Sequence, residues 1–293
     1  MADRDGVPAQ RLMHATLAVI LARGLGTRLR RDDGATMSTE QAQAAEAGHK
    51  ALMPLGGRPL LDYLLHNLTE SGVRDIVLVV PPGDSPLRQR YDVDLPPTRL
   101  RVRFAVQNEP LGTAHALLAA RDAVCAPLGA PADADGRRHF LMCNGDNLYS
   151  ADALRALVNA DGPALVAYDA EALVRESGIE AERVRRFALV DSDAAGLLRE
   201  IVEKPDAGHP LLAAASPRVS MNLWRFTDRI FDACRGLEQS PRGEFELADA
   251  VRASMQAGER YAAIERAEAV LDLTQRRDVA TLEARLAGVH PRP

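Results

Sequence analysis

Leu17-Ala18-Val19-Ile20-Leu21-Ala22-Arg23-Gly24-Leu25-Gly26-Thr27-Arg28-Leu29 is an unbroken apolar run that feeds a polar turn punctuated by glycine. A short continuous apolar run bounded by glycines reads as a strand buried on both faces, the kind found in parallel sheets. Glycines directly after such a strand let backbone N–H groups approach an anion at a strand-to-helix turn. Two familiar forms of that turn are excluded. A dinucleotide fingerprint wants a third glycine where Leu29 stands, and no Gly-Lys-Ser/Thr follows for a P-loop.

Outward from this stretch the pattern repeats. Residues 76–80, 101–106, 140–143 and 164–168 read as strands, with a helix over 59–70 and another over 113–124 capped by Thr113. Strands alternating with helices imply parallel pairing through right-handed crossovers, and ligands in such sheets gather at the carboxyl ends of strands. Polar signatures stand at those ends: after Leu21, after Val106 (Gln107-Asn108-Glu109-Pro110-Leu111-Gly112-Thr113-Ala114) and after Cys143 (Asn144-Gly145-Asp146-Asn147). Later residues read as a hairpin (187–191 and 197–202 about Asp193-Ala194-Ala195-Gly196), a strand over 219–226, and helices over 228–235, 245–258 and 277–286.

The fold class expected is α/β and Rossmann-like. Helices flank a mostly parallel central sheet, followed by a β-hairpin and a helical C-terminal elaboration over 240–288. A flexible N-terminus over 1–13 precedes a single domain over 14–288. Residues 31–49 form an insertion with its own helix, because Ser38 and Gln41 have capping-box spacing and Gly48 ends the run. It is either a lid that closes over a bound ligand or a surface ornament.

Of the thirty-six basic residues only Lys50 and Lys204 are lysines. Arginine is a planar fork and lysine a compact point charge, so these two positions are candidates for sites that need an ammonium, with phosphate oxygens as target. With 46% hydrophobic and only 4% aromatic residues, the core is aliphatic. A net charge of −5 without a long basic run excludes a nucleic-acid face. Arg183 to Arg186 read as solvated helix faces. Cys125, Cys143 and Cys234 are too scattered for a disulfide framework or zinc site. The apolar run 15–22 is too short to span a bilayer, and Gly24, Gly26 and Arg28 follow it where a cleavage site would belong. A cytoplasmic enzyme without membrane or nucleic-acid partners is the expectation.

Gly24-x-Gly26-Thr27-Arg28, Lys50, Gly145-Asp146-Asn147 and Glu203-Lys204-Pro205, in this order, resemble the sugar-1-phosphate nucleotidyltransferases, glucose-1-phosphate thymidylyl- and uridylyltransferases among them. Gln107 to Ala114 and Arg242-Gly243-Glu244-Phe245-Glu246-Leu247-Ala248-Asp249 extend the resemblance, which covers about residues 16–285. It implies a nucleoside triphosphate and a sugar-1-phosphate as substrates, with in-line attack of the sugar phosphate on the α-phosphorus and release of pyrophosphate. The attacking phosphate is already largely dianionic at neutral pH, so charge neutralisation and positioning carry such a reaction.

The resemblance also implies roles. Arg28, Lys50 and Lys204 are the catalytic cations. Ala22, Arg23, Gly24, Gly26, Thr27, Gln107, Gly112 and Thr113 stand on the nucleotide side. Asn147, Glu203, Lys204 and Asn222 stand on the sugar-phosphate side, and Asp146 with Asp272 would hold Mg²⁺. Relatives commonly self-associate. There are departures. Arg23 occupies a common glycine position and either adds a phosphate contact or points away. Arg31 replaces a proline, Ala188 and Asn222 replace glycines facing the sugar, and Thr274 stands where glycine is usual beside Asp272. They motivate an alternative, a catalytically weak nucleotide-sugar sensor or regulatory subunit of the same fold. The cues to the base conflict: Arg242 to Glu246 is similar to thymidylyltransferases, Leu111 to His115 to N-acetylglucosamine-phosphate uridylyltransferases.

Overall fold

The structure is a computed structural model describing residues 15–127 and 129–293. The flexible stretch expected over 1–13 lies outside the described residues. In chain order the strands are β1 (Leu17–Leu21), β2 (Pro54–Leu55), β3 (Arg58–Pro59), β4 (Asp75–Val80), β5 (Arg101–Val106), β6 (His139–Asn144), β7 (Asn147–Leu148), β8 (Ala164–Asp169), β9 (Ala188–Ser192), β10 (Leu198–Val202), β11 (Arg218–Thr227), β12 (Ala262–Arg266) and β13 (Leu271–Asp272).

β1 lies inside a parallel block ordered β5–β4–β1–β6. Its residues alternate between the two faces, as the apolar run requires. Ala18 and Ile20 join one apolar layer with Leu64, Leu65 and Leu68. Leu17 and Val19 join the other with Leu117, Val124 and Phe140. The helix Leu60–Glu70 covers the first face. The helices Thr113–Ala119 and Arg121–Cys125 supply the second. Burying each of these leucines contributes roughly 1.5–3 kcal/mol before the ordering entropy is subtracted.

β11 extends the sheet antiparallel to β6 and continues it to β8. Along one edge it pairs first with β9, through Arg218 to Ser220, and then with β6, through Trp224 to Thr227. The hand-over falls at Asn222, where the register shifts and the backbone turns left-handed at φ 55°. The hairpin expected about residues 193–196 is β9–β10.

Two expectations change. The helix over 113–124 breaks at Ala120. The helical part expected over 240–288 contains the helices Leu247–Gln256 and Asp278–Leu286, but also β12, which joins the main sheet parallel to β8, and β13. Ala262-Ala263-Ile264-Glu265-Arg266 has one β-branched residue and no strict alternation, so it carries no strand signal of its own; its pairing with the buried β8 makes it a strand.

Candidate active site

A cavity of about 450 Å³ opens at the carboxyl ends of β1, β4, β5 and β6. Its floor is the loop after β1, where Ala22, Arg23, Gly24, Gly26, Thr27 and Arg28 all line it. The loop closes through a single turn, with Arg30 N–H donating to the Gly26 carbonyl at 3.0 Å, and no helix follows directly. The strand-to-helix turn expected here is therefore corrected: the loop lines the cavity without a helix, or its dipole, directly behind it.

The sequence brings Lys50 to this loop by way of the insertion. Its helix, Thr39–Ala47, has the expected ends, a Ser38–Gln41 capping box and a left-handed Gly48. Gly48 then packs on Gly26: a Cβ on Gly26 would meet the Gly48 carbonyl oxygen at 2.5 Å and its Cα at 2.6 Å. Residues 27–47 are thus a closed excursion that returns to its start. Gln41 fixes its far side by donating to the Pro54 carbonyl and to Glu283.

Lys50 Nζ reaches Asp146 Oδ2 at 2.5 Å, with side-chain exposures of 16% and 27%. Asp146 stands just beyond the end of β6, and both residues line the cavity. Asp272 is brought beside it by the small β7–β13 ribbon, in which Asp272 is the register partner of Asn147 and Leu273 N–H donates to the Asp146 carbonyl at 2.9 Å. Burial pushes the Asp272 carboxyl up, and Asp146 adds to this against the pull of Arg183 and Lys50. Arg183 forms an ion pair with Asp272, and its other amine nitrogen takes Asp278 at 3.1 Å. Its side chain is only 13% exposed, which corrects the reading of Arg183 as part of a solvated face.

At the β5 side Arg23 turns away from the loop. Its Nε donates to the Gln107 carbonyl at 2.7 Å and its Nη2 to the Asn108 carbonyl at 3.0 Å, tying β1's end to β5's. Gln107, Gly112 and Thr113 line the same cavity. Gly112, at φ 106°, lies against the backbone of Phe245, whose carbonyl oxygen would be 2.6 Å from a Cβ there. Thr113 does not cap its own helix. Its hydroxyl accepts from Leu247 N–H at 3.0 Å, capping the helix Leu247–Gln256 from another element. The two motifs on either side of the chain therefore meet at Gly112 and Phe245.

The family description "Nucleotidyl transferase" matches residues 17–286. The chain belongs to the nucleotidyl transferase family. It is 28% identical, over 84% of its own length and 86% of the relative's, to a UTP–glucose-1-phosphate uridylyltransferase of Haloferax volcanii. A glucose-1-phosphate thymidylyltransferase of Mycolicibacterium smegmatis is also 28% identical, over 79% of this chain and 68% of that one. A low-salt glycan biosynthesis nucleotidyltransferase of Haloferax volcanii matches at 28% over 82% of this chain, which spans only 57% of that relative. The fold matches a UTP-bound UGPase from Acinetobacter baumannii with a TM-score of 0.68 at 18% identity, covering 94% of this chain and 95% of that one. The sugar-1-phosphate nucleotidyltransferase resemblance and the α/β fold class are thereby shown.

In this nucleotidyl transferase the residues expected on the sugar-phosphate side do not line the cavity. Asn147 is buried behind it, its amide 3.4 Å from the Met221 carbonyl beside Asn222. Glu203 and Lys204 follow β10. Lys204 is exposed, and Glu203 is half-buried facing the segment that carries Arg242, Glu244 and Glu246, of which Glu244 lines the cavity. Lys204 and Asn222 are the two non-glycine residues with positive φ among the described residues, at 46° and 55°. Held backbone strain of this kind gathers at ligand-binding positions.

Sequence reasoning passed over residues that line the cavity and others that stand behind its lining. Ser85 and Leu87, in the stretch after β4, line the cavity. His115 was quoted only as part of a motif, yet it stacks on Phe245 with ring centroids 6.1 Å apart. Arg183 had no signal at all: its partner Asp272 is far off in sequence. Among the described residues no helix is long and apolar enough to cross a membrane.

Proposed function

We propose that this protein transfers a nucleotidyl group from a nucleoside triphosphate to a sugar-1-phosphate, giving a nucleotide-sugar and pyrophosphate. The observation that carries the reading is the meeting of Lys50 and Asp146 over a glycine loop at the rim of the parallel block, with Asp272 next to Asp146. A cation bridge between two carboxylates and a phosphate-facing loop is what joining two polyanions requires.

The backbone N–H groups of residues 24–28 would take the phosphate oxygens, with Arg28 and Lys50 neutralising charge as pyrophosphate departs. The sugar phosphate would enter from the side of Glu203 and Lys204, where Lys204 would hold the attacking phosphate in line. Asp146 and Asp272 would hold Mg²⁺, since both carry hard carboxylate oxygen. Burial and then the neighbouring Asp146 raise the Asp272 carboxyl, whose oxygens Arg183 and Thr274 also contact, and no third His, Cys, Asp or Glu joins them among the described residues. Such a site fits a cation that keeps several waters and completes its shell on phosphates. When bound there, Mg²⁺ would supply a Lewis acid to the α-phosphate. The reaction would belong to a cytoplasmic protein acting on small molecules.

The test is a matrix of triphosphates and sugar-1-phosphates, read as pyrophosphate formed with and without Mg²⁺. Pyrophosphate that appears only with both substrates and the metal supports the reading. Binding without turnover across the matrix would replace it with the nucleotide-sugar sensor, a reading that the Arg183 contact on Asp272 favours.

A further inference from the structure

Gln107 is 4% exposed and closes one wall of the cavity at the end of β5. Its amide nitrogen lies 3.2 Å from the Gly112 carbonyl oxygen and 3.1 Å from His115 Nδ1. The Gly112 oxygen can only accept, so the amide group facing it must be the NH₂, which fixes the flip. The second N–H then points at Nδ1, so Nδ1 must be the bare nitrogen of the imidazole and Nε2 must carry the proton. Both amide hydrogens are used within the protein. The carboxamide oxygen has no protein partner among the described residues and is not a sealed, buried atom, so it is left to the cavity.

The lock is itself braced. Phe245 stacks on the His115 ring at an interplanar angle of 29°. The backbone of Phe245 is bonded to Leu111 and to Ala114 on either side of Gly112. Arg23 holds the Gln107 carbonyl from behind. Each of these contacts resists the rotation that would expose the amide nitrogen.

We propose that His115 is a positioning residue that turns Gln107 into an acceptor-only group, so that the cavity selects a nucleobase whose edge carries a ring N–H and disfavours one with a ring lone pair there. Uracil, thymine and guanine carry that N–H; adenine and cytosine present a lone pair. The inference rests on the reading of this cavity as the triphosphate site. A site built to accept one hydrogen bond discriminates against a base that leaves its acceptor unpaired, because a buried polar group without a partner is costly.

The experiment is calorimetric binding of ATP, CTP, GTP, UTP and dTTP to the full chain, without sugar phosphate, beside ¹⁵N spectra of the histidines. The expected result is at least about tenfold tighter binding of the best ring-N–H base than of ATP or CTP, the size of one net hydrogen bond. His115→Phe keeps a ring against Phe245 but removes the acceptor, and should cut that ratio about tenfold. His115→Asn places an oxygen near the Nδ1 position and should restore most of it. The spectra of the unsubstituted protein should show His115 Nδ1 unprotonated and Nε2 protonated, a readout independent of whether either variant folds.

Equal binding of all five triphosphates, a preference for ATP or CTP, a ratio unchanged in His115→Phe, or a proton on Nδ1 would each overturn the proposal. A preference for a ring-N–H base without pyrophosphate formation from any sugar phosphate would sustain the His115 lock and remove the transferase reading. Pyrophosphate formation without base preference would do the reverse.

Discussion

Gly26 and Gly48 lie back to back, each occupying the space where the other's surroundings leave no room for a side chain. A Cβ on Gly26 would stand 2.5 Å from the Gly48 carbonyl oxygen, and one on Gly48 would stand 2.7 Å from the Leu25 carbonyl oxygen. Both are left-handed, at φ 61° and 74°. This contact ties the glycine loop that lines the cavity to the point from which Lys50 is delivered, so damage to it should be felt in binding as well as in stability. Gly48→Ala is expected to lose about 1–3 kcal/mol by urea denaturation and to raise KM for the triphosphate. Gly34→Ala is the control, since it is also left-handed, at φ 76°, but nothing lies within 4 Å of its Cβ position. It should cost only about 1–2 kcal/mol and leave KM alone. An unchanged KM in Gly48→Ala would separate the glycine contact from the site.

Lys50 contributes charge at a place where a compact ammonium meets Asp146 and the loop. Lys50→Gln should lower kcat about a hundred- to a thousandfold, the usual loss for one charge-stabilising donor, while stability changes by less than about 1 kcal/mol because the pair is partly open to water. Lys50→Arg should recover little, since a planar fork cannot replace a point charge on the same stem. Steady-state pyrophosphate release and thermal denaturation of the same samples check both halves. A large loss of stability with little loss of rate would make Lys50 a structural residue.

Arg183 compensates two carboxylates at once, Asp272 and Asp278, in a largely buried setting. Removing it alone strands a buried charge, whereas removing the charge with it does not. Arg183→Met should therefore cost about 3–5 kcal/mol in urea denaturation, and Arg183→Met combined with Asp272→Leu should recover a good part of that. A single variant as stable as the parent would show that the pair is not needed for folding.

The half of the site built from local turns was legible before the structure. The loop after β1 and Asp146 announce themselves through short patterns at strand ends, and Lys50 through its rarity, as one of two lysines among thirty-six basic residues. The capped helix Thr39–Ala47 was equally legible, since its caps are local hydrogen bonds. What could not be read were the long-range pairings. The family resemblance alone set Asp272 with Asp146; the residues themselves do not show it, because the contact depends on β13 pairing with β7 and neither segment is long enough to look like a strand. Arg183 looked like any arginine of a charged surface until its two aspartate partners were in place. Arg23 had two open orientations, and the choice depended on backbone carbonyls of Gln107 and Asn108 that no pattern displays. The excursion over 31–49 moves as a lid only if its tethers can open. Such a movement would have to break the Gln41 bonds to Glu283 and Pro54 and the contacts of Asp32 and Asp33 with Arg276 and Arg277. Deleting residues 36–47 should raise KM for the nucleotide, whereas an unchanged value would make the segment an ornament.

Glu203 gives the pH dependence a definite sign. Burial pushes its carboxyl above the usual value, with Glu246 adding to the effect and Lys204 and Arg242 opposing it. A carboxyl whose folded pKa lies above its unfolded one binds protons more strongly when folded. Its contribution to stability is therefore fully present below the unfolded value, near pH 4.5, and is lost as pH rises through the folded pKa. Glu203→Gln, which never ionises, should accordingly match the parent at pH 4 and become the more stable of the two as pH rises towards 8, read as melting temperature across that range. Activity should move the other way. If the ionised carboxylate accepts hydrogen bonds from sugar hydroxyls, kcat/KM for the sugar phosphate should rise through the same pH window in the parent and stay flat and low in Glu203→Gln. A variant that gained stability with pH yet kept the parent's activity profile would place Glu203 outside the sugar site while leaving its burial as described.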